Sequence, residues 1–192
     1  MVDWAQATPP LTGFIDRAPR MTSDDVLIET ITVESAPFLK DLIRRNLQVY
    51  EEAGSVLAAT FRRLADLPRI YQAEGARYFV LKDMKKNAQI IGGAGIGSLH
   101  GLPPSEGLGE VRDLVLEEVY RGKGLGARLL KRCVEEAKIL GYKRLYLETT
   151  PQMETAQKLF LRFGFRPVTQ AQVDLRDALN GKVPCYFILE DL

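Results

Sequence analysis

The sequence predicts one mixed α/β domain. Three observations predict it. Alternating, β-branched runs recur from Val26 to the C-terminus, and runs with apolar residues at helical spacing fall between them. No repeat, low-complexity block or internal linker divides the 192 residues. A chain of that length buries a full core as one domain and is short for two.

The elements follow in order. "VLIETITV", Val26–Val33, alternates and reads as a strand. From Ala36 to Tyr50, Phe38, Leu39, Leu42, Ile43 and Leu47 recur at helical spacing, with Ser35 as N-cap and Pro37 close behind. A second helix is expected from Ser55 to Leu67, with Leu57, Phe61 and Leu64 on one face. "RYFVLKD" and "AQIIGGAGIGSL" read as two strands of a hairpin turned at "KDMKKN". Gly93, Gly95 and Gly97 fall inside the second of these, where glycine permits a bulge or a close approach. "GLPPSEGLG" is a loop, and "EVRDLVLE" is a strand. Gly124–Leu140 is helical, with Leu125, Leu129, Leu130, Cys133, Val134, Ala137 and Leu140 on the buried face and Gly141 ending it. "KRLYLETT" is a strand. Met153–Phe163 is a helix with Ala156, Leu159, Phe160 and Phe163 inward, and "FRPVTQ" and "VPCYFILEDL" close the chain as strands.

Composition narrows the function classes. Net charge is +1, so no global field favours nucleic acid or membrane. No apolar run approaches the roughly 20 residues of a transmembrane helix. The two cysteines, Cys133 and Cys185, fit a reduced cytoplasmic protein better than a disulfide scaffold. Residues 1–24 lack the long apolar core of a secretory signal and read as a loosely ordered leader to the domain at 25–192.

The chemistry centres on "EVYRGKGLGARLL", Glu118–Leu130. A strand, a glycine-rich turn and a helix follow one another there. The first amides of a helix lack intrahelical partners and carry partial positive charge, so they donate hydrogen bonds to an anion. Gly122, Gly124 and Gly126 let the backbone come close to it, and Arg121 and Lys123 add charge. The pattern implies a polyphosphate. The P-loop pattern is absent, and Gly122-x-Gly124-x-Gly126 has the wrong last spacing for a Rossmann turn.

Arg121-x-x-Gly124-x-Gly126 matches the R/Q-x-x-G-x-G/A signature, and here the sequence resembles the GCN5-related N-acetyltransferase (GNAT) family. "EVRDLVLEEVYRGKGLGARLL" looks like that family's fourth strand, pyrophosphate loop and third helix. "KRLYLETT" looks like its fifth strand, and "TAQKLFLRFGF" like its A-x-x-[LF]-Y-x-x-x-G-F block. The resemblance is specific over Glu110–Phe165 and topological over Val26–Leu99. It implies a mixed, mostly antiparallel central sheet flanked by helices. It also implies acetyl-CoA as co-substrate, bound where the fourth and fifth strands part. Arg121, Gly122, Lys123, Gly124, Leu125, Gly126 and Ala127 would then cover the pyrophosphate, and the backbone of Leu114, Val115 and Leu116 would pair with pantetheine. The partners implied are acetyl-CoA and an amine, with no metal, nucleic acid or membrane; a homodimer is compatible with the family.

Acetyl transfer to an alkylamine needs a proton acceptor, because such an amine has a pKa around 10.4. Glu110, at the start of the fourth strand, is the expected catalytic base, where several members of the family place a glutamate. Asp113, beside Arg112, and His100, in a loop, are the alternatives. The amide of Leu116 is the candidate donor to the oxyanion. Two departures stand out. Phe160 occupies the place of the family's acidic tyrosine, with Tyr146 and Tyr186 as the nearest other hydroxyls. Met153 stands where many members carry asparagine, with Gln152 and Thr155 beside it. Phe160 motivates a rival reading, a non-catalytic acyl-CoA sensor of the same fold. Two further rivals are a transferase of a longer acyl group and a nucleic-acid module built on the basic loop, which the neutral charge disfavours. The acceptor is expected among the first two helices, near Glu51 and Glu52, and the final hairpin, Ala171–Pro184.

Overall fold

The computed structural model describes residues 25–48, 54–99, 107–168 and 185–192. The leader, Glu51, Glu52, His100 and the segment Ala171–Pro184 lie outside them.

Seven strands form a single sheet in the order β1-β2-β3-β4-β5-β7-β6. They are β1 (Val26–Thr30), β2 (Arg77–Asp83), β3 (Gln89–Ser98), β4 (Leu108–Leu116), β5 (Arg144–Thr149), β6 (Arg166–Val168) and β7 (Cys185–Leu189). Every neighbouring pair is antiparallel except β4 and β5. The helices are α1 (Ala36–Gln48), α2 (Gly54–Ala65), α3 (Leu67–Gln72), α4 (Leu125–Ile139) and α5 (Glu154–Arg162). The mixed, mostly antiparallel sheet flanked by helices is therefore as expected.

Strand alternation divides the core. Phe79 and Leu81 face α4 and α5, with Ile91, Ile96, Val111, Leu145 and Leu147. Tyr78 and Val80 face α1–α3, with Leu39, Leu42, Ile43, Leu64, Leu67 and Tyr71. The expected inner face of α4 is buried at Leu125, Leu129, Leu130, Cys133 and Ala137. Burial pushes the Cys133 thiol up to about 12, which removes it as a nucleophile at neutral pH.

Four local expectations need correction. The helix expected to run through Leu67 breaks at Asp66, and Pro68 in the next turn starts α3. Phe38 and Phe61 are exposed, not inward. Phe38 lies off the stripe of Leu39, Leu42 and Ile43. On α2, Thr60 is buried as well as Leu64, because Thr60 and Arg63 turn toward a carboxylate on β4. Ser35 precedes α1 as expected, but its hydroxyl accepts from the Thr32 amide, 2.8 Å, and so closes the preceding turn.

The glycines of β3 have a steric reason. A Cβ at Gly95 would lie 2.7 Å from the Tyr71 ring, and one at Gly93 would lie 2.6 Å from the Tyr78 ring. These two rings, in edge contact at 4.9 Å, lie directly on the strand.

Candidate functional site

The site begins where two strands separate. β4 and β5 pair through Leu108↔Arg144, Gly109↔Leu145 and Glu110↔Tyr146, and their register ends there. β5 continues along β7, and β4 along β3. The side of β4 that faces β5 is therefore unpaired from Val111 to Leu116 among the described residues.

A bulge bends β4 at this point. The β3–β4 register shifts between Gly93↔Val115 and Gly95↔Arg112, which leaves one extra residue on β4. Asp113 has φ of 50° there. Its side chain is buried and accepts from Arg63 Nη2 (2.7 Å), Arg63 Nε (3.1 Å), Thr60 (3.2 Å) and Tyr71 (3.2 Å). Its carbonyl accepts from Tyr78, 2.8 Å. Burial works against the Arg63 charge, but Asp113 outweighs it and holds the guanidinium protonated. Asp113, an alternative base by sequence, is thus a structural anchor with its oxygens filled. Its partner is Arg63, not the neighbouring Arg112.

The glycine loop stands at the far end of β4. Gly122 and Gly124 have φ of 74° and 83°, a region that L side chains rarely adopt. A Cβ at either would meet nothing within 4 Å, so the loop is bare on its outer face. Gly124 is the N-cap of α4 and supplies no side-chain cap, which leaves the first amides of the helix to an outside partner. Arg121 turns back, donating to the carbonyl of Leu116 at 3.4 Å and to Asn46 of α1. Tyr120 secures the loop from below. Its hydroxyl donates to buried Asp83, 2.6 Å, and the ammonium groups of Lys86 and Lys123 lie 5.3 and 5.4 Å from its ring centre. The sequence reading passed over Tyr120; the signal was an aromatic immediately before the basic loop.

Carboxylates line the opening on its other side. Glu110 and Tyr146 are paired and share a face, and Glu148 follows two residues later on that face. Arg112 Nε donates to Glu110, and Arg112 Nη2 donates to the carbonyl of Ser98. Tyr146 donates to Glu148 Oε2, 3.1 Å, and its ring stacks with that of Tyr186 at 6.1 Å. Burial, then the charge of Glu110, raises the pKa of Glu148; the Tyr146 hydrogen bond and the charges of Arg63 and Arg112 partly oppose this. Burial also raises the pKa values of Tyr146 and Tyr186, which makes both reluctant acids. Glu148 was not singled out from the sequence, since only the β4–β5 register brings it to Glu110.

The expected residues fall into three groups around one opening. Leu114, Val115 and Leu116 lie on the unpaired stretch of β4; Arg121, Gly122, Lys123, Gly124, Leu125, Gly126 and Ala127 form the loop and first turn of α4; Glu110 stands at the apex. Phe160 is buried against Phe165 and Phe187, at 6.1 and 5.9 Å between ring centres, and belongs to the core.

Known proteins share this fold. The model of the acetyltransferase (GNAT) family matches residues 40–165. The chain is 28% identical over 163 residues to YjgM of Escherichia coli K12, described as an uncharacterised N-acetyltransferase, covering 83% of this chain and 90% of that one. An acetyltransferase structure from Streptococcus agalactiae superposes with a TM-score of 0.71 at 16% identity, covering 88% and 99% of the two chains. The yncA structure from Salmonella typhimurium, solved with its cofactor acetyl-CoA, superposes at 0.65 with 21% identity, over 86% and 93%. With its family model spanning both the parted strands and the glycine loop, the chain belongs to the GNAT acetyltransferase family and is an N-acetyltransferase of that type.

Proposed function

We propose that the chain transfers the acetyl group of acetyl-CoA to a primary amine by direct attack in a ternary complex. One observation carries the reading: β4 leaves β5 beside an uncapped, glycine-bounded start of α4. In this reading the amides from Gly122 to Ala127, with the charges of Arg121 and Lys123, hold the pyrophosphate. The backbone of Leu114, Val115 and Leu116 pairs with pantetheine as an added strand would. The amide of Leu116 donates to the oxyanion as the thioester carbonyl is attacked. A free thiol has a pKa near 8.5, so the CoA thiolate leaves without a strong acid, and the phenylalanine at position 160 is no obstacle. Glu110 is the base expected from the family and lies at the apex of the opening. The reading places the chain in the cytoplasm, and its free cysteines agree with that.

A second reading, a non-catalytic acyl-CoA-binding domain, rests on the burial of Phe160 in the core. Calorimetry with acetyl-CoA, free CoA and succinyl-CoA tests the site, with the Gly124→Glu variant beside the wild type. Micromolar binding that the variant loses is the expected result. No binding by the wild type would overturn the proposal. Thiol release with amines then separates a transferase from a sensor, and preference for succinyl-CoA would point to a longer acyl group.

A further inference from the structure

Resting on that transferase reading, we infer that Glu148, rather than Glu110, takes the proton from the acceptor ammonium, with Tyr146 as its positioning residue.

Three carboxylates approach the opening. Asp113 is filled by Arg63, Thr60 and Tyr71. Glu110 is ion-paired with Arg112, which is itself tied to the carbonyl of Ser98. Glu148 receives a hydrogen bond from Tyr146 on one oxygen, forms no ion pair among the described residues, and is half-buried. It also lies two residues past the last β4–β5 pair, where the strands have begun to part. An ammonium entering between them meets an oxygen of Glu148 that no donor among the described residues occupies.

The electrostatics fit the role. The charged groups facing Glu148 are Glu110 and Arg112 from β4 and Arg63 from α2, and the neutral hydroxyls are Tyr146 from β5 and Tyr186 from β7. Burial and the charge of Glu110 outweigh the rest and make Glu148 a stronger base than an ordinary carboxylate. A proton acceptor works best when its pKa approaches the working pH. Glu110 then acts on Glu148 as a neighbouring charge.

The step balances. Glu148 takes one proton from the ammonium, and the neutral amine forms the N–C bond at the thioester carbonyl. The C–S bond breaks, the second nitrogen proton ends on the thiolate as CoA–SH, and Glu148 later returns its proton to water.

The test uses the full chain. Carboxyl-carbon NMR on glutamate-labelled protein should show one glutamate titrating above the ordinary carboxylate range. That resonance should vanish in Glu148→Gln and move to lower pH in Glu110→Gln. No glutamate titrating high in the wild type would overturn the inference. Thiol release from acetyl-CoA, with phenethylamine, spermidine and glucosamine as probes, supplies the second arm. Glu148→Gln should lower kcat by about 100-fold or more, the scale of general base catalysis, with acetyl-CoA affinity unchanged. Glu110→Gln should shift the acid limb downward, because the charge that raises Glu148 is gone. Tyr146→Phe should move that limb upward without abolishing turnover. Loss of turnover in Glu110→Gln, with Glu148→Gln active, would return the role to Glu110. Binding of acetyl-CoA with no release from the wild type would count against the transfer reading, and the NMR titration would then decide the carboxylate pair by itself.

Discussion

Arg63 on α2 grips both carboxylate oxygens of Asp113, at 2.7 and 3.1 Å, at the one residue of β4 with positive φ. The bulge that turns β4 away from β5 is thus held from the opposite layer, and Thr60 and Tyr71 complete the clamp.

Removing the cation leaves a buried carboxylate without its partner. Arg63→Met should destabilise the fold by about 3–5 kcal/mol. Urea denaturation read by circular dichroism checks this; a loss under about 1 kcal/mol, the range of exposed pairs, would mean that water replaces Arg63.

The loop separates conformation from charge. Gly124→Ala forces a side chain onto φ of 83° while meeting open space, so its effect is strain of about 1–2 kcal/mol. Acetyl-CoA binding should weaken modestly in that variant and be lost in Gly124→Glu, which adds negative charge among the helix amides. Equal affinity of the two variants in calorimetry would contradict a phosphate role for the loop.

A methyl group on β3 should be felt at the bulge. Gly95→Ala places its Cβ against the Tyr71 ring, whose hydroxyl bonds Asp113. Overpacking of this kind costs about 1–3 kcal/mol. The denaturation midpoint should fall with an unchanged m-value. Gly126→Ala, whose Cβ would make ordinary contacts at 3.4 and 3.6 Å, is the control.

Glu148 should make stability depend on pH. Its pKa is raised by folding, so between the unfolded value and the folded one the native state binds more protons. Stability from this group is present at low pH and lost as pH rises through that window. Glu148→Gln should therefore raise Tm at pH 8, with about 1.4 kcal/mol for each unit of the upward shift. The gain should disappear near pH 4. A variant less stable than the wild type at pH 8 would show that Glu148 is structural.

Much of this architecture is legible along the chain because period and punctuation are local. The inner face of α4 and the glycines that bound it are written within one segment. The hairpin from Arg77 to Ser98 is equally local. What escapes such reading depends on distant partners. The rotation of α2 follows Asp113, 50 residues away from Arg63. The restart at α3 hangs on Pro68, two residues after Asp66. Glu148 resembles any strand carboxylate until the β4–β5 register sets it beside Glu110.

The parted strands also have a mechanical meaning. Among the described residues, three parallel residue pairs form the ladder between β1–β4 and β5–β7. Beyond that seam, side-chain packing joins the halves: Phe79, Leu81 and Val111 share one core with Leu145, Leu147 and Phe187. A guest laid along Val111–Leu116 would stitch the halves together, slowing amide exchange in β4 on filling the cleft and releasing it on departure.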